Sequence, residues 1–226
     1  MTHTALLFGA IGTLAETSEL QRRAYNAAFA AHDVDWVWEK ARYGRMLTQP
    51  GGRARLAAYA ADAGDRVDVD AIHDTKQRVF ASLVDRTGLE PRAGVIETMD
   101  AARQRAIPIA FCTTTTPAEV GLILDGLAPH ATRGDFDWIG DRSMVAHAKP
   151  SPDIYRAALD ALGVAASGAL AIEDTPESAE AALAAGLTVV GFPGRAAEGR
   201  AFPDGVMVID RLGAHILTED LRLAAE

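Results

Sequence analysis

Ala5-Leu6-Leu7-Phe8-Gly9-Ala10-Ile11-Gly12-Thr13-Leu14 decides how this chain is read. An apolar run followed by glycines at 9 and 12 reads as a short buried strand that ends in a turn. In a doubly wound α/β protein, ligands gather at the carboxyl ends of such strands. A reactive side chain is therefore expected in this turn, yet it offers no carboxylate, thiol or imidazole between Gly9 and Leu14.

Outward from this stretch, further strand-like runs appear at residues 107–112, 136–139, 169–172, 187–192 and 206–209. From the second run onward, the intervals are long enough for crossover connections, mostly helical, which predicts a parallel sheet covered on both faces. Ser151-Pro152 and Thr175-Pro176 each read as a capping hydroxyl before a proline at the first helical position. Gly163 and Gly186 read as the matching stops.

Between the first two strands lies a long insertion with helical periodicity. Ile72, Thr75, Val79 and Leu83, joined by Phe80, mark one apolar face, and Leu20, Ala24, Ala28 and Phe29 mark another. Pro50-Gly51-Gly52 and Gly64 interrupt it. The predicted fold is α/β: a Rossmann-like doubly wound parallel sheet core, residues 1–17 and 86–226, with a four-helix cap inserted at 18–85.

The 226 residues suffice for this architecture, and an apolar content of 49% supplies a substantial core. A formal net charge of −9 argues against a nucleic-acid partner, which would require clustered Lys and Arg. No apolar run approaches the ~18 residues that a membrane span needs, and the N-terminus has no signal-peptide pattern. One cysteine, Cys112, leaves no intramolecular disulfide framework and fits a reducing compartment. The expectation is a cytoplasmic protein with neither nucleic-acid nor membrane partner.

Three further stretches carry chemistry. The second strand ends Phe111-Cys112-Thr113-Thr114-Thr115-Thr116, rich in hydroxyls and turn amides. Lys149 stands in His147-Ala148-Lys149-Pro150-Ser151-Pro152-Asp153-Ile154-Tyr155. The fourth strand ends Ala171-Ile172-Glu173-Asp174-Thr175. With Phe8 to Thr17, these resemble, in order and spacing, the four motifs of the haloacid dehalogenase (HAD) superfamily. The similarity is to its CbbY-like, or β-phosphoglucomutase-like, branch with a helical cap, and it covers nearly the whole chain.

The resemblance implies specific roles. Thr113 and Thr114 would bind a phosphate, Lys149 would orient it, and Asp174 with Glu173 would help hold Mg²⁺. Arg53 and Arg55, after Gly51-Gly52, would meet a phosphorylated sugar. The family's first motif is Asp-X-Asp-Gly-Thr-Leu. Gly9 stands at its nucleophile and Ile11 at its general acid/base. Family-type phosphoryl transfer is accordingly predicted to be lost, with Mg²⁺ weakly held or absent.

Two function classes follow. One is a non-catalytic homologue that binds a small phosphorylated metabolite or a protein partner. The other is an active hydrolase with a non-standard nucleophile, for which Thr13, Thr113, Thr114, Cys112 and Glu16 are the nearby candidates. Lys149 has two readings as well, a phosphate contact or a neutralising partner for Glu173 and Asp174. Arg53 and Arg55 are either ligand contacts or a solvated helix start. Ser18-Glu19-Leu20-Gln21 reads as a capping box, Trp36 and Trp38 as cap packing, and His147 as structural.

Overall fold

The computed structural model describes residues 3–47 and 51–218, and Pro50 lies outside them. The chain divides into two compact units, one of residues 1–16 and 89–226 and one of Thr17–Gly88.

The first unit is built on six parallel strands: β1 (Ala5–Phe8), β2 (Ile109–Cys112), β3 (Trp138–Gly140), β4 (Ala169–Glu173), β5 (Thr188–Gly191) and β6 (Met207–Val208). Their order across the sheet is β3-β2-β1-β4-β5-β6. The chain winds outward in both directions from β1, so the crevice where strand order reverses opens at its carboxyl end. Register fixes the neighbours: Phe8 lies beside Phe111 and Ile172. Gly9, Thr113 and Asp174 each follow directly on one of the three central strands.

The pleat alternates side chains between faces. Ala5, Leu7, Ala110, Cys112, Ala169, Ala171 and Val189 share one core layer with Ile154, Tyr155 and Ala158 of a helix at Asp153–Leu162 and with Ala179 and Ala182 of one at Pro176–Ala184. These small strand residues leave room for Tyr155, which is fully buried.

The predicted helix starts divide. Thr175 accepts a hydrogen bond from the Ser178 amide, as a capping threonine should. At the other start the helix begins at Asp153 and Ser151 is no cap. Its hydroxyl donates to Asp153 Oδ1 at 2.6 Å, while Asp153 Oδ2 accepts from the His147 amide and faces the His147 ring. The acceptor of the first helical residue ties down the preceding loop, so the cap hydroxyl is drawn to it.

The second unit consists of four helices, Ser18–Ala31, Lys40–Met46, Gly52–Ala63 and Val69–Thr87. Its core gathers Tyr25, Phe29, Trp38, Tyr43, Leu56 and Ile72, with ring centroids of Tyr25 and Trp38 4.6 Å apart and of Phe29 and Trp38 4.9 Å apart. Two readings are corrected here. Ser18 is the first helical residue, after Thr17 at the cap, so it closes no capping box. The buried stripe of the last helix is Ile72, Lys76, Phe80 and Val84, a strict four-residue spacing that puts a lysine where an apolar side chain is expected. The Lys76 stem is buried, and its ammonium stands 5.1 Å from the ring centres of both Tyr25 and Phe80. Among the described residues, no helix is long and apolar enough to cross a membrane.

Candidate functional site

The turn after β1 keeps its shape through its own backbone. Thr13 is buried, and its hydroxyl donates to the Ala10 carbonyl at 2.6 Å, as does its amide at 3.0 Å. From the opposite side, Arg92 donates to the carbonyls of Gly12 (2.6 Å), Phe192 (2.9 Å) and Pro193 (2.7 Å), with its guanidinium 3.5 Å from the centre of the Phe192 ring. This planar donor fork clamps the turn to the exit of β5. No sequence signal announced Arg92, because its acceptors are main-chain oxygens far away along the chain.

Lys149 is nearly buried, with 8% of its side chain exposed, and Glu173 is fully buried. The ammonium donates to Glu173 Oε1 at 3.0 Å, to the Tyr155 hydroxyl at 2.7 Å and to the Gly9 carbonyl. An ammonium has three N–H donors, so these three acceptors saturate it. The reading of Lys149 as a neutralising partner therefore describes the observed geometry. Binding a phosphate would require Lys149 to exchange one acceptor, and the neutral Tyr155 hydroxyl is the least costly to release.

The decisive contact lies at Gly9. A Cβ built on this residue would overlap the Glu173 carboxylate, with Oε1, Cδ and Oε2 all inside van der Waals distance. Gly9 is not among the residues with positive φ, so a side chain here would have to displace the Glu173 carboxylate and would meet no strain from the backbone conformation. The acid retained on β4 thus occupies the volume that a side chain on β1 would fill. Asp174 approaches the same loop, since a Cβ on Gly12 would overlap its Oδ2.

Burial pushes the Glu173 carboxyl up to about 7, against the pull of the Lys149 ammonium, while the Asp174 charge adds to the rise. Burial likewise raises Asp174, opposed by Lys149 and Arg92. Glu173 Oε2 and Asp174 Oδ1 are buried without a hydrogen-bond partner among the described residues.

The other candidates are placed as follows. Thr113 is buried, and its Oγ1 accepts from the Thr115 amide at 3.2 Å, which leaves the hydroxyl hydrogen to donate. Thr114 is half-buried beside it. Thr115 donates to Glu119 and Thr116 caps the following helix. Cys112 is buried within β2, and burial raises its thiol far above the ordinary range, which makes it a core residue. Glu16 Oε2 accepts from the Arg195 amide at 2.9 Å. Within the cap, Arg53 pairs with Asp70 (2.6 Å) and Asp74 (3.5 Å), and Arg55 donates to the Met46 carbonyl at 2.9 Å.

Mg²⁺ takes near-octahedral oxygen coordination. The carboxylates near the strand ends are Glu173, already spent on Lys149, Asp174, and Glu16, whose Oε2 accepts from the Arg195 amide. The Gly9 carbonyl is also spent on Lys149, and the Ile11 carbonyl accepts the Ala15 amide at 2.9 Å. Among the described residues, no three His, Cys, Asp or Glu side chains converge on a metal position. This donor set does not fit a resident Mg²⁺.

Comparison with known proteins identifies the family. The family model for haloacid dehalogenase-like hydrolases matches residues 3–186. The plasmid-encoded CbbY protein of Cupriavidus necator is 36% identical over 217 residues, covering 92% of this chain and 85% of its own. Two crystal structures of CbbY from Rhodobacter sphaeroides superpose with a TM-score of 0.80, each covering 92% of this chain and 94% of the other. One, a mutant in complex with xylulose-(1,5)bisphosphate, is 36% identical, and one in complex with phosphate is 35% identical.

Proposed function

Because the chain belongs to the haloacid dehalogenase-like hydrolase family, in its CbbY-like branch, we propose that it binds a small phosphorylated metabolite of the phosphosugar class without transferring the phosphoryl group. The observation that carries the loss of turnover is the Glu173 carboxylate lying in the side-chain volume of Gly9. A nucleophilic carboxylate is absent from residue 9 and a proton-carrying group from residue 11. Three of the five substitute nucleophiles are engaged elsewhere, the Thr13 hydroxyl in the turn, Glu16 on Arg195 and Cys112 in the core, while Thr113 and Thr114 are assigned to phosphate binding.

Binding draws on what remains. The Thr113 hydroxyl and the Thr114 turn contact one phosphate, and Lys149 turns from Tyr155 toward it while keeping Glu173. Asp174 and Glu173 are assigned no Mg²⁺, and no step is routed through one. Within the cap unit, one of Arg53 and Arg55 is assigned a phosphate or a carboxylate, bidentately bound.

The reading is supported by CbbY structures that hold phosphate and xylulose-(1,5)bisphosphate. Calorimetric titration with sugar phosphates, alongside a phosphate-release assay, tests it. Saturable binding without released phosphate is expected. No binding to any sugar phosphate, with or without Mg²⁺, would remove the proposal, and unchanged affinity in Arg53→Ala would remove that arginine's part.

A further inference from the structure

The two carboxylates at the end of β4 already have resident cations. Lys149 and Arg92 set two cations against Glu173 and Asp174, both cations act on Asp174, and Glu16 is a third acid acting on it. Lys149 is saturated by Glu173, Tyr155 and the Gly9 carbonyl, while Arg92 is fixed on the carbonyls of Gly12, Phe192 and Pro193. Carboxylates at residues 9 and 11 would add two negative charges, the amount that one divalent cation neutralises. Gly9 and Ile11 remove that surplus, which leaves Glu16 as the acid beyond the two cations and weakens the electrostatic pull on a metal.

Geometry points the same way. The ammonium of Lys149 sits on the Gly9 carbonyl and on Glu173 together, so a dication brought to these oxygens would face a buried positive charge in a medium of low dielectric. Displacing Lys149 would leave it buried and unpaired, which is costly.

We propose that this is a metal-free anion site, in which Lys149 and Arg92 are the resident counter-charges of Glu173 and Asp174 and a phosphate is taken up without any divalent cation. The uptake half rests on the binding function proposed above; the metal-free half does not.

Titration of the unaltered protein with Mn²⁺, followed by the electron paramagnetic resonance signal of the free ion, decides the metal-free half. The free-ion signal is expected to rise as in buffer, and stoichiometric capture in the micromolar range would overturn the proposal. The Ile11→Asp variant, at a half-buried position with no clash at residue 9, is expected to bind Mn²⁺ more tightly than the parent. A variant with no gain would overturn the charge-balance argument. Calorimetry with inorganic phosphate separates the halves. Affinity equal within about twofold in chelator and in excess Mg²⁺ supports metal-free uptake, and a rise of tenfold or more with Mg²⁺ overturns it. Phosphate binding in neither condition overturns the uptake half together with the binding function, and the Mn²⁺ result still stands on its own.

Discussion

Two neighbouring strand ends have had opposite fates. At the end of β1 the turn from Gly9 to Leu14 holds its shape, through Thr13 and Arg92, but carries no ionisable side chain. At the end of β4, Glu173 and Asp174 are kept, and with Lys149 and Tyr155 they form a buried polar cluster. The two ends pair in register, Phe8 beside Ile172, so a change in one is felt by the other. The space at Gly9 is therefore not empty: the Glu173 carboxylate fills it, held by the Lys149 ammonium.

The largest effect that can break this comparison is on turnover. Removing a nucleophile from a well-studied hydrolase costs on the order of 10⁶-fold, so the unaltered protein is expected to release no phosphate above background. The Gly9→Asp/Ile11→Asp double variant, assayed with Mg²⁺ and sugar phosphates, is expected to gain turnover provided Glu173 swings out of the way. A double variant as silent as its parent would mean that the β4 side has diverged as well.

Next is the Lys149–Glu173 pair. Removing one partner of a buried ion pair costs roughly 3–5 kcal/mol, so Lys149→Met is expected to lower stability by about that much at pH 8, measured by urea unfolding. At pH 5 Glu173 can accept a proton, and the loss should be smaller. Equal losses at both pH values would show that the pair carries no charge coupling.

A smaller effect separates Glu173 from its surroundings. Its folded-state value of about 7 lies above the ordinary 4.5 because burial disfavours the charged form. The proton therefore binds the folded state more tightly, and this contribution is fully present below about pH 4.5 and fades as pH rises through 7. Stability is expected to fall by up to about 3 kcal/mol across that window. Glu173→Gln should flatten this part of the profile, and a variant with the parent's slope would assign the titration to another group.

How much of this was legible follows from the range of each signal. The strands could be read because each is a short apolar run bounded by turns, and Thr175-Pro176 because a cap is a local bond. Ser151 was misread because Asp153, two residues on, competes for its hydroxyl. In the cap, Lys76 broke the expected stripe because its long stem packs like an apolar side chain between rings. Lys149 and Glu173 were visible as motif residues, but neither the saturation of the ammonium nor the filling of the Gly9 space was. Both involve Gly9, which lies 140 positions from Lys149 and meets it and Glu173 only when parallel strands align. Arg92 left no trace for the same reason.

Whether Glu173 holds the side-chain volume at Gly9 is decided by a double-mutant cycle. Gly9→Ala is expected to cost about 1–3 kcal/mol by overpacking in the unaltered background, and close to nothing when Glu173 is already alanine. A cost that is the same in both backgrounds would show that Glu173 does not hold that volume.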